Sequence, residues 1–132
     1  NLSNLEELGL GRNQLTSLPE SIFNLSNLTH LDIQENNFET ISSSIGNLSS
    51  LDWVSIADNE LSQLPSSIYN LSNLRYLYLN NNELTSISSA VCDMPSLITL
   101  QLEGNNLCPQ YNYSSSCVDS FYFDNQDQTN CP

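Results

Sequence analysis

Residues 51–61 read Leu51-Asp52-Trp53-Val54-Ser55-Ile56-Ala57-Asp58-Asn59-Glu60-Leu61, and the same apolar spelling returns 23 residues away in both directions. Upstream it is Leu28, Leu31, Ile33, Asn36, Phe38, and before that Leu5, Leu8, Leu10, Asn13, Leu15. Downstream it is Leu74, Leu77, Leu79, Asn82, Leu84, then Leu97, Leu100, Leu102, Asn105, Leu107. A fixed period of this length is the signature of a stacked solenoid. Each unit is too small to bury its own apolar side, so neighbours must stack and share one continuous core. The alternation within Leu-x-x-Leu-x-Leu gives a short strand, and successive strands align in parallel.

The second half of the unit, Leu18-Pro19 with Ile22 and Leu25, recurs as Leu64-Pro65 with Ile68 and Leu71. Together these motifs resemble the leucine-rich repeat family in its 23-residue form, over residues 1–107. The resemblance implies an α/β-type solenoid: a right-handed coil with a short parallel concave sheet and an irregular or 3-10 convex side. It also implies that Asn13, Asn36, Asn59, Asn82 and Asn105 form a structural ladder, their amides bonding turn backbone. That arrangement is how a buried polar side chain avoids an unmet hydrogen bond. Residues 1–107 are thus read as the solenoid and 108–132 as a cysteine-stabilised cap.

Charge narrows the function. The 132 residues carry 15 acids against two arginines and no lysine, for a net charge of -13. Such a surface repels phosphate backbones and anionic lipid, which argues against nucleic-acid binding. No stretch is apolar for the ~18 residues a membrane helix needs, so no membrane insertion is expected. The chain opens at Asn1-Leu2-Ser3-Asn4-Leu5, which repeats Asn24-Leu25-Ser26-Asn27-Leu28 and so begins mid-phrase. The expectation is either the C-terminal part of a longer protein or a first repeat covered by another chain.

Cys92, Cys108, Cys117 and Cys131 all fall near the C-terminus. No Cys-x-x-Cys spacing suggests a metal site, and an even number gathered at one end suggests two disulfides in an oxidising compartment. Three pairings are open. Cys92 holds the place of Phe23, Gly46 and Tyr69, and Cys117 falls near that place one turn later, which favours Cys92–Cys117 with Cys108–Cys131. The segment from Asn105-Asn106-Leu107-Cys108-Pro109 resembles the closing caps of bacterial surface or secreted leucine-rich-repeat proteins. Its Tyr111 to Ser116 insert departs from the compact form of such caps.

Function must lie in the outward positions, because the leucines and asparagines are occupied with packing. One column of the sheet reads Glu7, His30, Trp53, Tyr76, Thr99, and the next reads Gly9, Asp32, Ser55, Tyr78, Gln101. Glu6, Thr29, Asp52, Arg75 and Ile98 precede the first column, while Arg12, Glu35, Asp58, Asn81 and Gly104 lie beyond the second. The only Trp, the only His and both Arg occupy these positions. A concave patch of His30, Trp53, Tyr76 and Tyr78, edged by Asp32, Asp52, Asp58 and Arg75, is therefore the candidate binding site, since such residue types dominate recognition surfaces. The competing account is that the aromatics merely pack across strands and stiffen the sheet.

The expected ligand is a protein or peptide, in line with the family's use of its concave face. A glycan stacking on Trp53 and Tyr78 is an alternative. Another is a structural role as a filament or surface-layer subunit, assembling through the uncapped first repeat. His30, Asp32 and Ser55 lie close enough to suggest a triad on paper, but no buried orienting partner or oxyanion hole accompanies them. No enzyme activity, cofactor or metal is expected, although Asp124-Asn125-Gln126-Asp127 could offer oxygen ligands. Sequons at Asn1, Asn24, Asn47 and Asn70 repeat once per turn, with further ones at Asn27 and Asn112. In a secreted eukaryotic protein they would carry glycans along the convex edge. The same spelling also serves packing alone. Finally, repeats one and three share Leu-Pro while two and four read Ile-Ser, which suggests a 46-residue duplication placing Phe23 and Tyr69 on the convex side, where they either cover the core or supply a lateral contact. The overall reading is a non-catalytic extracellular or cell-surface recognition module.

Overall fold

In the computed structural model, residues 2–108, 120–129 and 131 are described. Six strands, β1 (Glu7–Gly9), β2 (His30–Asp32), β3 (Trp53–Ser55), β4 (Tyr76–Tyr78), β5 (Thr99–Gln101) and β6 (Ser120–Tyr122), form one sheet in sequence order. Every pairing is parallel, and the register places Glu7, His30, Trp53, Tyr76 and Thr99 side by side. The chain is the α/β-type right-handed solenoid its period predicts. The convex side carries short 3-10 turns at Glu20–Asn24, Ser43–Asn47, Ser66–Asn70 and Ser89–Asp93.

The two spellings of the repeat are two ways of starting that turn. In the first and third, Pro19 and Pro65 fix φ at -59° and -67°, and their carbonyls accept from Ile22 and Ile68. In the second and fourth, Ser42 and Ser88 cap instead, each hydroxyl accepting from a backbone N–H two residues on, at 3.2 Å. Proline pre-sets the geometry and serine satisfies an orphan donor, so either serves.

Leu31, Val54, Leu77 and Leu100, the central residues of β2 to β5, are completely buried. With Ile33, Ile56, Leu79 and Leu102 behind them they make the core, each such side chain contributing roughly 1.5–3 kcal/mol. Phe23 is 3% exposed, so it covers the core and offers no lateral contact. Tyr69 is partly buried against the same core, and its hydroxyl accepts from the Ser88 N–H at 3.3 Å. Burial pushes the Tyr69 phenol above its ordinary pKa. Gly46, at the equivalent place, is required by close approach: a Cβ there would sit 2.8 Å from the Ser67 Cβ and 3.1 Å from its carbonyl oxygen.

From Asn36 onward the asparagine column bonds in the same way from turn to turn. Asn59 Nδ2 donates to the carbonyls of Ile56 and Ala57 in its own turn and of Ile33 in the turn before, at 3.0–3.2 Å. Its Oδ1 accepts from the Phe38 N–H at 3.0 Å. Asn36, Asn82 and Asn105 repeat the pattern toward Leu15, Leu61 and Leu84. Asn13 makes only the two bonds within its own turn, to Leu10 and Gly11.

The register does not end at Leu107. β6 pairs with β5, and Gln126 takes the ladder place, donating to Leu102, Phe123 and Asp124 and accepting from the Leu107 N–H at 3.1 Å. The spacing from Asn105 to Gln126 is shorter than in the regular turns, which hides the sixth copy from a 23-residue template. Gln126 is thus spent on backbone, and Asp127 accepts from the Thr129 N–H and hydroxyl. Those two bonds hold its carboxyl below the usual pKa. Among the described residues no cluster of three or more His, Cys, Asp or Glu could hold a metal ion.

Cys108 and Cys131 form a disulfide with a Cα–Cα distance of 5.5 Å. Cys92 is disulfide-bonded as well, while Cys117 lies outside the described residues.

Candidate functional site

The pleat of β2, β3 and β4 turns alternate side chains to the concave face, and there the aromatics meet. The His30 and Trp53 rings lie 6.2 Å apart and nearly parallel, at 23°. Adjacency in register would place Trp53 against Tyr76, and the two backbones do pair. The ring contact, however, is diagonal: Trp53 lies 5.3 Å from Tyr78 at 45°. The diagonal is available because Ser55, between them on the same face, is small. Ser55 is only 2% exposed. Ser55 thus lies on the concave side as its column implies, but it is covered there and not exposed. His30 Nδ1 is bonded by Thr29 Oγ1 at 2.9 Å, and Asp32 Oδ1 accepts from the Gln34 N–H at 3.0 Å.

Tyr76 is occupied by a cation instead. The Arg75 guanidinium lies 5.4 Å from its ring centroid and makes a bidentate pair with Asp52, Nη2 to Oδ2 at 2.6 Å and Nε to Oδ1. The hydrogen bond from Arg75 holds the Asp52 carboxyl below its ordinary pKa, and the same contact raises that of Arg75. At the opposite margin Arg12 Nε meets Glu35 Oε1 at 3.0 Å. Both arginines of the chain are therefore neutralised by an acid one turn away. Asp58 accepts from Asn81 Nδ2 at 2.8 Å.

Arg12, Glu35, Asp58, Asn81 and Gly104 share a conformation that the outward reading did not foresee. All have positive φ, from 52° to 67°, as does Asn125 in the sixth turn. They are the left-handed corner where each strand turns toward the ladder, and so they edge the face without belonging to it. The Asp, Asn and Gly in that column were the available signal, since these types tolerate such φ best.

Sequence columns also missed a depression. Gly9 has no side chain, and a Cβ built there would meet nothing within 4 Å. Around it Glu7, Leu8, His30, Asp32 and Trp53 line an open depression of about 280 Å³. The candidate site thus has two parts, an aromatic band over β2 to β4 and a hollow beside it on β1.

A repeat-built coil with a variable concave face defines a class of scaffold, and here the class is specific. The chain belongs to the leucine-rich repeat family, whose pattern matches residues 3–61 and 50–107. Proteins of this family generally act as non-catalytic scaffolds that bind protein partners. No curated protein matches the chain. Among solved structures, a leucine-rich-repeat protein of Leptospira interrogans superposes with a TM-score of 0.85 at 30% identity, over 93% of this chain and 32% of that one. The internalin InlF of Listeria monocytogenes gives 0.79 at 32% identity, over 95% and 36%. A structure described as a TDR receptor gives 0.74 at 33% identity, over 92% and 23%. The chain spans about a third or less of those proteins. No helix among the described residues is long and apolar enough to cross a membrane.

Proposed function

We propose that this chain is a non-catalytic, extracellular or surface-exposed recognition module that binds a protein or peptide on its concave face. The observation that carries the reading is the band His30–Trp53–Tyr78, continuous across three strands and half-buried, so that ring surface remains for a partner. Aromatic anchors of this kind, rimmed by charge, concentrate binding energy at protein interfaces. A protein is favoured over a glycan because Trp53 and Tyr78 tilt against each other and offer no pair of flat, parallel platforms to a sugar. Disulfide bonding at Cys108, Cys131 and Cys92 supports an oxidising, extracellular setting. Residues 108–132 serve in this reading as the closing cap, carrying the stacking one turn further through Gln126.

Asn24, Asn47 and Asn70 end three successive 3-10 turns and are exposed, so glycans there would line the convex edge and leave the concave face clear. Asn27 is a poorer acceptor, since its amide donates to the Ser3 carbonyl and the Thr29 hydroxyl to that of Glu6. Asn1 and Asn112 lie outside the described residues.

The test is selection of displayed peptides against the chain, followed by binding to a Trp53→Ala, Tyr78→Ala double variant whose fold is checked by circular dichroism. Binding should fall at least about 100-fold, as expected for two central anchors. Peptides that bind both proteins equally would sink the concave-face reading.

A further inference from the structure

We propose that the hollow over Gly9 is a cation subsite that receives the guanidinium or ammonium group of a basic side chain on the partner. This rests on the concave face being the binding surface, and it names the chemistry of what that surface selects.

Three independent observations converge. The first is space: the open Gly9 position and the shallow depression of about 280 Å³ around it leave room for one long side chain. The second is the polarity of the lining. Glu7 and Asp32 contribute carboxylates, which only accept. The side chains around the hollow therefore offer several acceptors beside the Trp53 ring. A sugar hydroxyl wants donors as well as acceptors, and an anion wants donors alone. A guanidinium brings five N–H donors and a flat cation for the indole face.

The third observation is that the chain builds this contact once for itself. Arg75 lies on the Tyr76 ring while it forks onto Asp52. Asp32 beside Trp53 presents the same pairing of carboxylate and aromatic ring without its guanidinium. Arg75 is spent on Asp52, and Arg12, bonded to Glu35, acts on Asp32 only through its field, without forming an ion pair with it. Among the described residues Glu7 and Asp32 have no ion-pair partner, and a net charge of -13 draws cations toward the face.

N-acetyl-arginine methylamide and its uncharged isostere, the citrulline derivative, distinguish a built site from general attraction to an acidic surface. Titrated into the isotope-labelled chain, the arginine probe should shift the amide resonances of Gly9 and Asp32 and the Trp53 indole N–H, with citrulline silent there. The Asp32→Asn variant, nearly isosteric, should weaken the arginine response about tenfold, the scale of one charge-assisted contact. Gly9→Val, a residue suited to a strand, should abolish it by filling the hollow. Equal shifts from citrulline, shifts spread evenly to remote acids such as Asp58 and Glu60, or an undiminished response in Asp32→Asn would each overturn the proposal. The wider reading fails separately. If selected peptides lose binding in the Trp53, Tyr78 variant but keep it in both Gly9→Val and Asp32→Asn, the subsite alone is wrong. If they keep binding in the aromatic variant, the concave face itself is wrong.

Discussion

Two polar columns run down this stack a few residues apart, and they are written in opposite ways. The ladder column holds Asn in five turns and Gln126 in the sixth, whereas the concave column reads Glu7, His30, Trp53, Tyr76, Thr99. What differs is the neighbour each must satisfy. A ladder residue faces backbone, and backbone is the same in every turn, so one side chain solves the problem repeatedly. A concave residue faces solvent or a partner, and nothing in the coil dictates its identity. Uniformity therefore marks what the fold requires, and variation marks what is left free for recognition.

The comparison breaks most readily within the ladder itself. Asn59 bridges two turns through four hydrogen bonds and is 8% exposed, whereas Asn13 bonds only its own turn and is exposed. Asn59→Ala leaves buried donors and acceptors unmet and should lower unfolding free energy by about 3–5 kcal/mol. Asn13→Ala should cost about 1 kcal/mol or less. Urea denaturation of the two variants decides, and equal losses would mean that the ladder does not couple turns.

A smaller effect sharpens the same contrast on the convex side. Position 46 is variable among repeats, with Phe23, Tyr69 and Cys92 as its counterparts, and so resembles a free surface column. Its glycine is nonetheless fixed by the Ser67 atoms that crowd it. Gly46→Ala must push two 3-10 turns apart, at a cost of about 1–3 kcal/mol. A neutral result in thermal melting would place position 46 with the unconstrained residues.

Much of this was legible in the sequence, and the remainder was not for identifiable reasons. The period located the central residues of β1 to β5 and the five ladder asparagines, because both answer to packing that repeats with the period. Alternation also placed His30, Trp53, Tyr76 and Tyr78 on one face. It could not say that Trp53 leans to Tyr78 instead of its direct neighbour Tyr76, since that choice depends on the small size of Ser55 and on Arg75 occupying the Tyr76 ring. The sixth turn escaped because its spacing is shortened and its ladder residue is Gln126. The parallel between Glu103-Gly104-Asn105 and Asp124-Asn125-Gln126, a left-handed corner followed by a ladder amide, was the clue available. The hollow at Gly9 was invisible for a simpler reason: a glycine in a column signals nothing until its neighbours are known to stand back from it.

The smallest expected effect concerns the one contact in the concave patch that satisfies itself. Asp52 is bonded by Arg75 and its carboxyl titrates below the ordinary value, so the folded state binds its proton less readily than the unfolded chain. The pair's stabilisation is therefore complete above the usual carboxylate pKa and is lost as pH falls through the depressed folded value. Acidification has a second consequence of opposite sign, because protonating the many other acids relieves the repulsion of a chain at net charge -13. The melting temperature of the native chain mixes the two, and only the difference from Asp52→Asn isolates the pair. Arg75 is half exposed, so the difference should be small at neutral pH and low salt, shrinking toward zero as pH falls through the depressed folded value. A difference that persists in acid would assign the Asp52 contribution to packing instead of charge. The ladder's contribution, built from amides, should show no such dependence, and that is the contrast between the two columns expressed in a titration.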